Sequence, residues 1–372
     1  MKFPQPSRRA MRPLILALAL AISAPILARE TAPKPKLRKT AYQAVQPGEF
    51  ANFGQWQEVA AFIDDMVGRH GFDRKALETL FREVRYVDSA VQLVKPAPPG
   101  RPKNWRAYRA RFIDPVRIQA GAAFWNEHAQ ALERAEQRYG VPAEIIVGII
   151  GVETVYGRNT GNFRVLDTLT TLGFDYPDTP NRAARMTFFR GQLEQTLLFA
   201  RESVIDPFSL LGSYAGAIGW PQFMPGSIRN FAVDFDGDGK IDLRNSPVDA
   251  IGSVANFLLQ HGWQNGQPIA FPATVTTASV NGAPDNRWEA YIGQGLEAKY
   301  TLEEMRTAGI AASGDAPAEL PYGLVDLQNG SEATEYWLGA ANFFAITKYN
   351  RSFFYAMSVV ELGRAVKAAR GG

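Results

Sequence analysis

The chain has no cysteine among its 372 residues, and it has only three histidines. The absence of cysteine excludes disulfides, thiolate metal sites, a cysteine nucleophile and a cysteine for lipid attachment. His70, His128 and His261 are widely spaced, which disfavours both a zinc site and a Ser-His-Asp triad. Carboxylate, tyrosine and amide groups are therefore the remaining sources of chemistry.

A basic surface is also missing once residues 1–28 are set aside. The net charge of the whole chain is +3, and these residues contribute four positive charges and no negative one, so the remainder carries −1. This gives nucleic-acid binding no electrostatic basis.

Residues 1–28 have the pattern of a signal peptide. A basic start precedes the apolar stretch Pro13 to Leu27, and Ala28 suits a cleavage site. The stretch is short for a membrane-spanning helix. We therefore expect export to the periplasm as a soluble protein, with no permanent membrane span.

Helical patterning dominates the chain after a Pro-, Lys- and Ala-rich tether at 29–47. Residues 95–103 (KPAPPGRPK) predict an irregular loop. Apolar residues at helical spacing predict three helices before residue 140, over 55–70, 74–81 and 115–139.

The patterning changes between 264 and 333, where short β-rich runs alternate with Gly, Asn and Pro. Two such runs are 273–277 and 288–292. We predict a mainly α fold of the α+β class. Its parts are a helical domain at 48–140, a core at 141–263, a small β domain at 264–333 and a helical return to the core at 334–372.

Glu153 stands near the end of an almost wholly apolar segment. Pro142 suits a first helical position and Gly157 suits a stop, which predicts a buried helix of about four turns. Burial and the helix dipole both raise the pKa of a carboxyl at that place. A carboxyl that stays partly protonated near neutral pH suits a general acid. Alternatively, Glu153 reaches solvent or pairs with Arg158 or Arg164.

A second motif runs from Gly212 to Pro225 and combines small residues with aromatic and amide side chains. The small residues allow close approach of a ligand, while Trp220, Gln222 and Phe223 offer ring faces and an amide. Sugars are bound by this combination. Close packing of helices through the small residues explains the same pattern equally well.

The loop 234–249 begins like an EF-hand calcium loop, with aspartates at positions one, three and five and glycine at position six. Asn245 stands at position twelve, where a bidentate glutamate is expected. Asp249 could supply that carboxylate if the loop is longer. We predict a structural Ca²⁺ and no cofactor for catalysis, and the alternative is a solvated acidic turn.

A third motif, Tyr349 to Tyr355, places tyrosines and an amide at the edge of a predicted helix. Taken alone, it is more typical of ordinary packing than of a binding site.

Together these motifs resemble the lytic murein transglycosylase B family, which is glycoside hydrolase family 103. The similarity covers about Phe50 to Leu362, most of the chain. The matching segments are Gly151 to Thr154, Arg164 to Leu172, Phe174 to Pro177, Ser213 to Pro225, the acidic loop, Pro247 to Asn256 and Tyr349 to Asn350.

The resemblance implies a lysozyme-like α core and cleavage of the β-1,4 bond between N-acetylmuramic acid and N-acetylglucosamine in peptidoglycan strands. The product would carry a 1,6-anhydromuramoyl end, with Glu153 as the single acid and base. Residues that match the family's glycan cleft are Ser213, Gln222, Phe223, Tyr349, Asn350 and Tyr355. Those that match its calcium ligands are Asp234, Asp236, Asp238, Lys240 (backbone oxygen) and Asp249.

The chain departs from relatives at Phe257, where an aromatic hydroxyl can occur. A longer loop at 178–184 also leaves Arg182 and Arg185 without an assignment to the cleft. Two other functions remain open from the sequence. One is a muramidase that uses water in place of the sugar hydroxyl, and the other is a peptidoglycan-binding scaffold without catalysis.

Overall fold

The computed structural model describes residues 52–371 apart from 97–99, 101, 277–278, 281–282 and 285. The predicted signal peptide and tether therefore lie outside the described residues. Within the described ranges, no helix combines the length and the apolar character that crossing a bilayer requires.

Helices make up most of the described chain, which confirms the predicted mainly α class. In chain order, the α-helices are α1 Gln57–His70, α2 Arg74–Glu83, α3 Asp88–Leu93, α4 Trp105–Arg109, α5 Pro115–Glu127, α6 Ala129–Tyr139, α7 Ala143–Thr154, α8 Val165–Phe174, α9 Arg182–Glu202, α10 Pro225–Phe231, α11 Pro247–Gln260, α12 Leu302–Thr307, α13 Ala341–Ile346 and α14 Phe353–Ala369. Short 3₁₀ turns lie at Phe53–Gln55, Pro207–Ser209 and Arg287–Tyr291.

Strands are few and antiparallel. They are β1 Phe163–Arg164, β2 Leu211–Gly212, β3 Ala270–Val275, β4 Ser279–Val280, β5 Ala283–Pro284, β6 Ile310–Ala312, β7 Gly323–Asn329 and β8 Glu332–Gly339. The largest sheet has the order β6-β3-β8-β7, and β1 pairs with β2 within the helical core.

The four-stranded sheet has a small core of its own, as a separate β region would require. The buried members of that core are Met305, Ile310, Tyr322, Leu324, Leu338 and Ala340. Strand β3 confirms the first predicted β run over residues 273–275.

The second predicted β run, 288–292, is wrong because most of it lies in a 3₁₀ turn. Its aromatic residues pack edge-on against other tyrosines: Trp288 lies 5.4 Å from Tyr336 and Tyr291 lies 4.6 Å from Tyr300, measured between ring centroids. The aromatic content that suggested a strand therefore serves packing between elements.

The predicted helical return at 334 is also wrong in its starting point. Residues 332–339 form β8, which pairs on both sides, with Leu338 opposite Phe271 of β3 and Leu324 of β7. These long-range pairings decide the conformation, and helix resumes only at Ala341.

The helices predicted at 55–70 and 74–81 are confirmed as α1 and α2, but the one predicted at 115–139 is two helices. His128 separates them with φ −111° and ψ 24°. Its ring packs on Phe124 with centroids 4.7 Å apart. Because the apolar spacing continues across this break, the sequence pattern does not reveal it.

Helices α7 and α14 form the centre of the main core and pack antiparallel. Every residue of α7 is buried except Glu144 and Glu153. A Cβ added to Gly148 would collide with the carbonyl oxygen of Val359, and one added to Gly363 would collide with that of Glu144. The two backbones are therefore in direct contact, which brings the start of α14 to the end of α7.

We predict that Gly148→Ala lowers the free energy of unfolding by about 1–3 kcal/mol, because the new methyl group must push α14 away. Thermal or urea unfolding measures the change. The control is Gly68→Ala in α1, where an added Cβ meets no atom within 4 Å. That variant should be neutral or up to about 1 kcal/mol more stable, and equal losses in both variants would contradict the packing argument.

Candidate active site

Glu153 lies in the last turn of α7 and contacts the first turn of α14. The hydroxyl of Tyr355 donates a hydrogen bond of 2.6 Å to the Oε1 atom of Glu153. Among the described residues, no ion pair joins Glu153 to Arg158 or Arg164, and Arg164 pairs instead with Asp167 at 2.6 Å. The ion-pair alternative for Glu153 is therefore not what the described residues show.

The predicted helix is confirmed, although it ends at Thr154 rather than near Gly157. Val155, Tyr156 and Gly157 follow in the left-handed region, with φ of 52°, 55° and 79°. Only glycine adopts this conformation readily. The chain therefore turns sharply, and under strain, just after the carboxylate.

Burial dominates the electrostatics of Glu153. Desolvation raises the pKa of its carboxyl from 4.5 to about 7, and the hydrogen bond from Tyr355 opposes this rise. Part of the residue still reaches the surface. An enclosed carboxyl in a residue that keeps some exposure suits proton transfer to a bound molecule near neutral pH.

Tyrosines surround the carboxyl. Burial and, next, the charge of Glu153 raise the pKa of both Tyr349 and Tyr355 well above the usual value. The rings of these two tyrosines stack, with centroids 6.2 Å apart and planes 16° from parallel. The hydroxyl of Tyr349 donates to the carbonyl oxygen of Pro221. The motif at 349–355 thus lies beside Glu153, and Tyr355 contacts its carboxyl directly.

Phe223 does not match its predicted role as an open ring face, because its side chain is only 2% exposed. Its ring packs against Phe257 at 5.5 Å and Tyr349 at 5.7 Å between centroids. Its backbone N–H and C=O are paired with Ile218. Phe223 therefore packs against Tyr349 and offers no ring face to a sugar.

Gln222 and Ser213 provide partly exposed polar groups on two turns of the segment 212–225. The amide nitrogen of Gln222 donates to the carbonyl oxygens of Gly219 (2.9 Å) and Thr160 (3.2 Å). The hydroxyl oxygen of Ser213 accepts from the N–H of Ala217 at 3.0 Å. Hydrogen bonds to backbone groups hold both side chains in place, so they are preorganised.

Asn350 follows Tyr349 and has a buried side-chain oxygen without a hydrogen-bond partner among the described residues. A buried acceptor in this state costs about 1–3 kcal/mol. A donor from a bound molecule would remove that cost, which supports the predicted role of Asn350 in binding.

Tyr108 of α4 is a residue that the motif analysis missed. Burial and then the charge of Glu153 raise its pKa to about 12, so it lies within electrostatic reach of that carboxyl. Its ring packs against Phe354 at 5.5 Å between centroids. Trp105, Tyr108 and Phe112 follow at intervals of three and four, and this spacing could have indicated a single aromatic helix face.

The acidic loop brings three carboxylates together. Oxygen atoms of Asp234, Asp236 and Asp249 lie within 4.8 Å of one another. Among the described residues, none of the three forms an ion pair. A group of hard oxygen donors without a cationic partner fits a calcium ion.

Other loop residues are held by the loop itself. The carboxylate of Asp238 lies outside that group and accepts the N–H of Lys240 at 2.8 Å. The Asn245 amide donates to Asp242 at 2.8 Å. Asp249, which is 1% exposed, accepts the backbone N–H of Asp242 at 2.8 Å. The position-twelve amide of Asn245 is therefore paired with Asp242, and Asp249 is the carboxylate that lies beside Asp234 and Asp236.

The family described as transglycosylase SLT domain matches residues 54–364, which is most of the chain. The chain belongs to this transglycosylase family. The resemblance to lytic murein transglycosylase B is thereby confirmed. Comparisons with individual relatives agree with it.

This transglycosylase is 44% identical over 332 residues to membrane-bound lytic murein transglycosylase B of Escherichia coli strain K12, covering 87% of the chain and 85% of the relative. Soluble lytic transglycosylase SltB1 from Pseudomonas aeruginosa is 45% identical, with a TM-score of 0.75 over 85% of this chain and 100% of that one. The Escherichia coli lytic transglycosylase Slt35, solved in complex with calcium, is 42% identical, with a TM-score of 0.72 over 87% and 95% of the two chains.

We predict that Glu153→Gln stabilises the fold in a pH-dependent way. The carboxyl has a pKa of about 7 when folded, against 4.5 for an ordinary glutamate. Between these values the folded state binds more protons than the unfolded state, so wild-type stability falls as pH rises through that window and stays lower above it. The amide cannot ionise, so the Gln variant does not lose stability in this way.

Melting temperatures at about pH 5 and about pH 8.5 test this, because the advantage of the Gln variant should be small at the first and full at the second. Glu133→Gln, at an exposed position on α6, is the control and should show no such difference. An advantage of Glu153→Gln that does not grow with pH would contradict the burial argument.

Proposed function

We propose that this chain is a lytic transglycosylase of peptidoglycan with Glu153 as its single catalytic acid and base. It would cleave the β-1,4 bond between N-acetylmuramic acid and N-acetylglucosamine and leave a 1,6-anhydromuramoyl end. The observation that carries this proposal is the enclosed Glu153 carboxyl, with a pKa of about 7 and a hydroxyl donor at 2.6 Å. The named activity of its relatives supports the same conclusion.

In the first step, protonated Glu153 donates its proton to the glycosidic oxygen. The bond to the anomeric carbon breaks as positive charge develops there. The ionised carboxylate that results is stabilised by the Tyr355 hydroxyl, since a hydrogen bond to a carboxylate favours its charged form. Tyr355 therefore makes proton donation easier without removing the proton from the resting acid.

In the second step, ionised Glu153 removes the proton from the O6 hydroxyl of the muramoyl residue. The oxygen then bonds to the anomeric carbon and closes the 1,6-anhydro ring, which returns Glu153 to its protonated form. The nucleophile belongs to the substrate and has a high effective concentration. A second catalytic carboxylate, usual in glycosidases, is then unnecessary.

The electrostatics of Glu153 fit a single-carboxylate scheme. The pKa of Glu153 is set by burial and by Tyr355, and no neighbouring carboxylate of the described residues contributes to its shift. A partner carboxylate at the separation used by retaining glycosidases, roughly 5 Å, would be expected to raise the pKa further.

The predicted cleft residues fall into those that would contact a glycan or Glu153 directly and one that would act indirectly. We assign sugar contacts to four residues that carry hydroxyl or amide groups: Ser213, Gln222, Tyr349 and Asn350. Tyr355 also lies in the cleft, where it donates to Glu153. Phe223 would act indirectly by supporting Tyr349.

The acidic loop would hold a structural calcium ion through Asp234, Asp236 and Asp249, and the family positions add Asp238 and the backbone oxygen of Lys240. The ion would neutralise clustered negative charge and fix the loop. A calcium complex of the related Slt35 supports this assignment.

We also propose that the protein is exported and acts on murein in the periplasm. The residues that suggest export, 1–28, lie outside the described residues. The Escherichia coli relative is named as membrane-bound, whereas this chain has no cysteine for lipid attachment.

Glu153→Gln should lower turnover of murein roughly 10²- to 10⁴-fold, because the amide cannot donate or accept the catalytic proton. Release of soluble muropeptides from purified sacculi measures turnover, and sedimentation with sacculi measures binding, which should survive. The control is Glu144→Gln at the other end of α7, where the carboxylate pairs with Lys367 at 2.8 Å. Wild-type turnover in Glu153→Gln would end the proposal.

Mass spectrometry of the products separates the enzymatic alternatives. Transglycosylation gives anhydro ends that are lighter by one water than the reducing ends that a muramidase produces. We expect anhydro ends. Ordinary reducing ends would identify a muramidase, and binding without any cleavage across a pH series would identify a scaffold.

Calcium at about 100 times its dissociation constant should raise the melting temperature by about 4 °C. Chelation should reverse this rise, with a smaller effect on the rate at ambient temperature. Asp249→Asn should abolish the response to calcium, and magnesium serves as the control for ion specificity. An unchanged melting temperature at millimolar calcium would count against the site.

A further inference from the structure

We propose that Thr154 is a positioning residue for Glu153, and that it acts by fastening the end of α7 to Trp220 and, through Trp220, to the acidic loop 234–249. The inference rests on the proposed catalytic role of Glu153. Thr154 does not need to touch the glycan, since it acts through the neighbouring residue.

The hydroxyl of Thr154 joins three parts of the chain. It is fully buried. It donates to the carbonyl oxygen of Trp220 at 3.0 Å, with the carbonyl oxygen of Ile150 farther away at 3.3 Å, and it accepts the N–H of Gly157 at 3.0 Å. A threonine that only satisfied its own helix would need the contact to Ile150 alone.

The bond to Gly157 spans the two strained residues of this turn. Val155 and Tyr156 have positive φ angles, a conformation that costs about 1–2 kcal/mol for a residue with a Cβ. Strain of this kind persists only where surrounding contacts hold it. The Thr154 hydroxyl supplies such contacts on both sides of the turn.

Trp220 is itself fixed by the acidic loop. Its backbone N–H donates to the carbonyl oxygen of Leu243 at 2.8 Å, and its indole N–H donates to that of Arg244 at 3.0 Å. The indole also lies against Gly157, where an added Cβ would come within 2.6 Å of the ring. The acceptor that Thr154 uses is therefore held rigidly.

The same segment of the loop is anchored to the carboxylates. The backbone N–H of Asp242 donates to Asp249 at 2.8 Å, and Asp242 accepts the N–H groups of Arg244 (3.0 Å) and Asn245 (2.9 Å). An unbroken series of hydrogen bonds thus runs from Asp249 to Thr154. Each link is a directional hydrogen bond of 2.8 to 3.0 Å.

Catalysis is sensitive to this arrangement because Glu153 precedes Thr154 directly. A shift of the helix end would move the carboxyl relative to Tyr355 and to the sugar. Misplacement by about 1 Å can cost as much as 10²-fold in rate. The hydroxyl of Thr154 is thus expected to affect the chemical step more than substrate binding.

The test compares Thr154→Val, which removes the hydroxyl at nearly constant shape, with Thr154→Ser, which retains the hydroxyl. We expect Thr154→Val to lower kcat roughly 10- to 100-fold with KM within about twofold, and Thr154→Ser to retain most of kcat. The matched control is Thr170→Val in α8, where another fully buried threonine donates to the carbonyl oxygen of Leu166 at 2.8 Å. That variant should lose stability but keep kcat.

Two further measurements separate positioning from plain stability. Hydrogen exchange of the peptide containing Gly157 should quicken in Thr154→Val but not in Thr170→Val. The basic limb of the kcat/KM profile should move to lower pH, because water that enters beside Glu153 weakens the desolvation of its carboxyl. If Thr154→Val does not fold, Trp220→Phe removes the bond to Arg244 and should show the same changes to a smaller extent.

The outcomes distinguish this inference from the proposed function. An unchanged kcat in Thr154→Val, with a loss of stability like that of Thr170→Val and an inactive Glu153→Gln, would overturn the positioning role alone. An active Glu153→Gln would overturn both. A lowered kcat that Thr154→Ser does not restore would also overturn the role of the hydroxyl.

Discussion

The direct backbone contact between α7 and α14 is the constraint on which the site depends. Gly148 and Gly363 each leave the space that a side chain would fill, so the two helices approach closely. This approach places Tyr355, at the start of α14, 2.6 Å from the carboxyl at the end of α7. With larger residues at the glycine positions, the same two functional groups would be present in the chain but would not meet.

The acidity of Glu153 results from two opposed effects in that contact. Burial favours the protonated carboxyl, and the Tyr355 hydroxyl favours the ionised one, with burial the larger. The resulting pKa of about 7 allows one group to act first as an acid and then as a base. The second proton must come from the group that attacks the anomeric carbon, and in the proposed reaction that group is the O6 hydroxyl of the substrate.

Local patterns in the sequence were sufficient for α7, for the raised pKa of Glu153 and for the clustering of Asp234, Asp236 and Asp249. The patterns that indicated them are local in the chain, although the burial of Glu153 also requires the contact with α14. Apart from the local break at His128, the wrong or missed predictions depend on distant partners. Residues 332–339 became a strand through pairing with β3 and β7. Phe223 is covered by Tyr349, and Tyr108 reaches Glu153 from a short helix without a motif. Single-sequence patterns contain no information about such contacts.

Two features of this site oppose folding: a carboxyl that loses solvation, and left-handed backbone at Val155 and Tyr156. Both lie within three residues of Glu153, so contacts from the surrounding segments must hold the backbone and the carboxyl in place there. Three separate segments do so: α14 through Tyr355, the turn at Trp220 through Thr154, and the acidic loop through Leu243 and Arg244. A structural ion in that loop would then contribute to the same rigidity. Because Glu153 stands at the point where these segments meet, its position is fixed only when the whole core is folded.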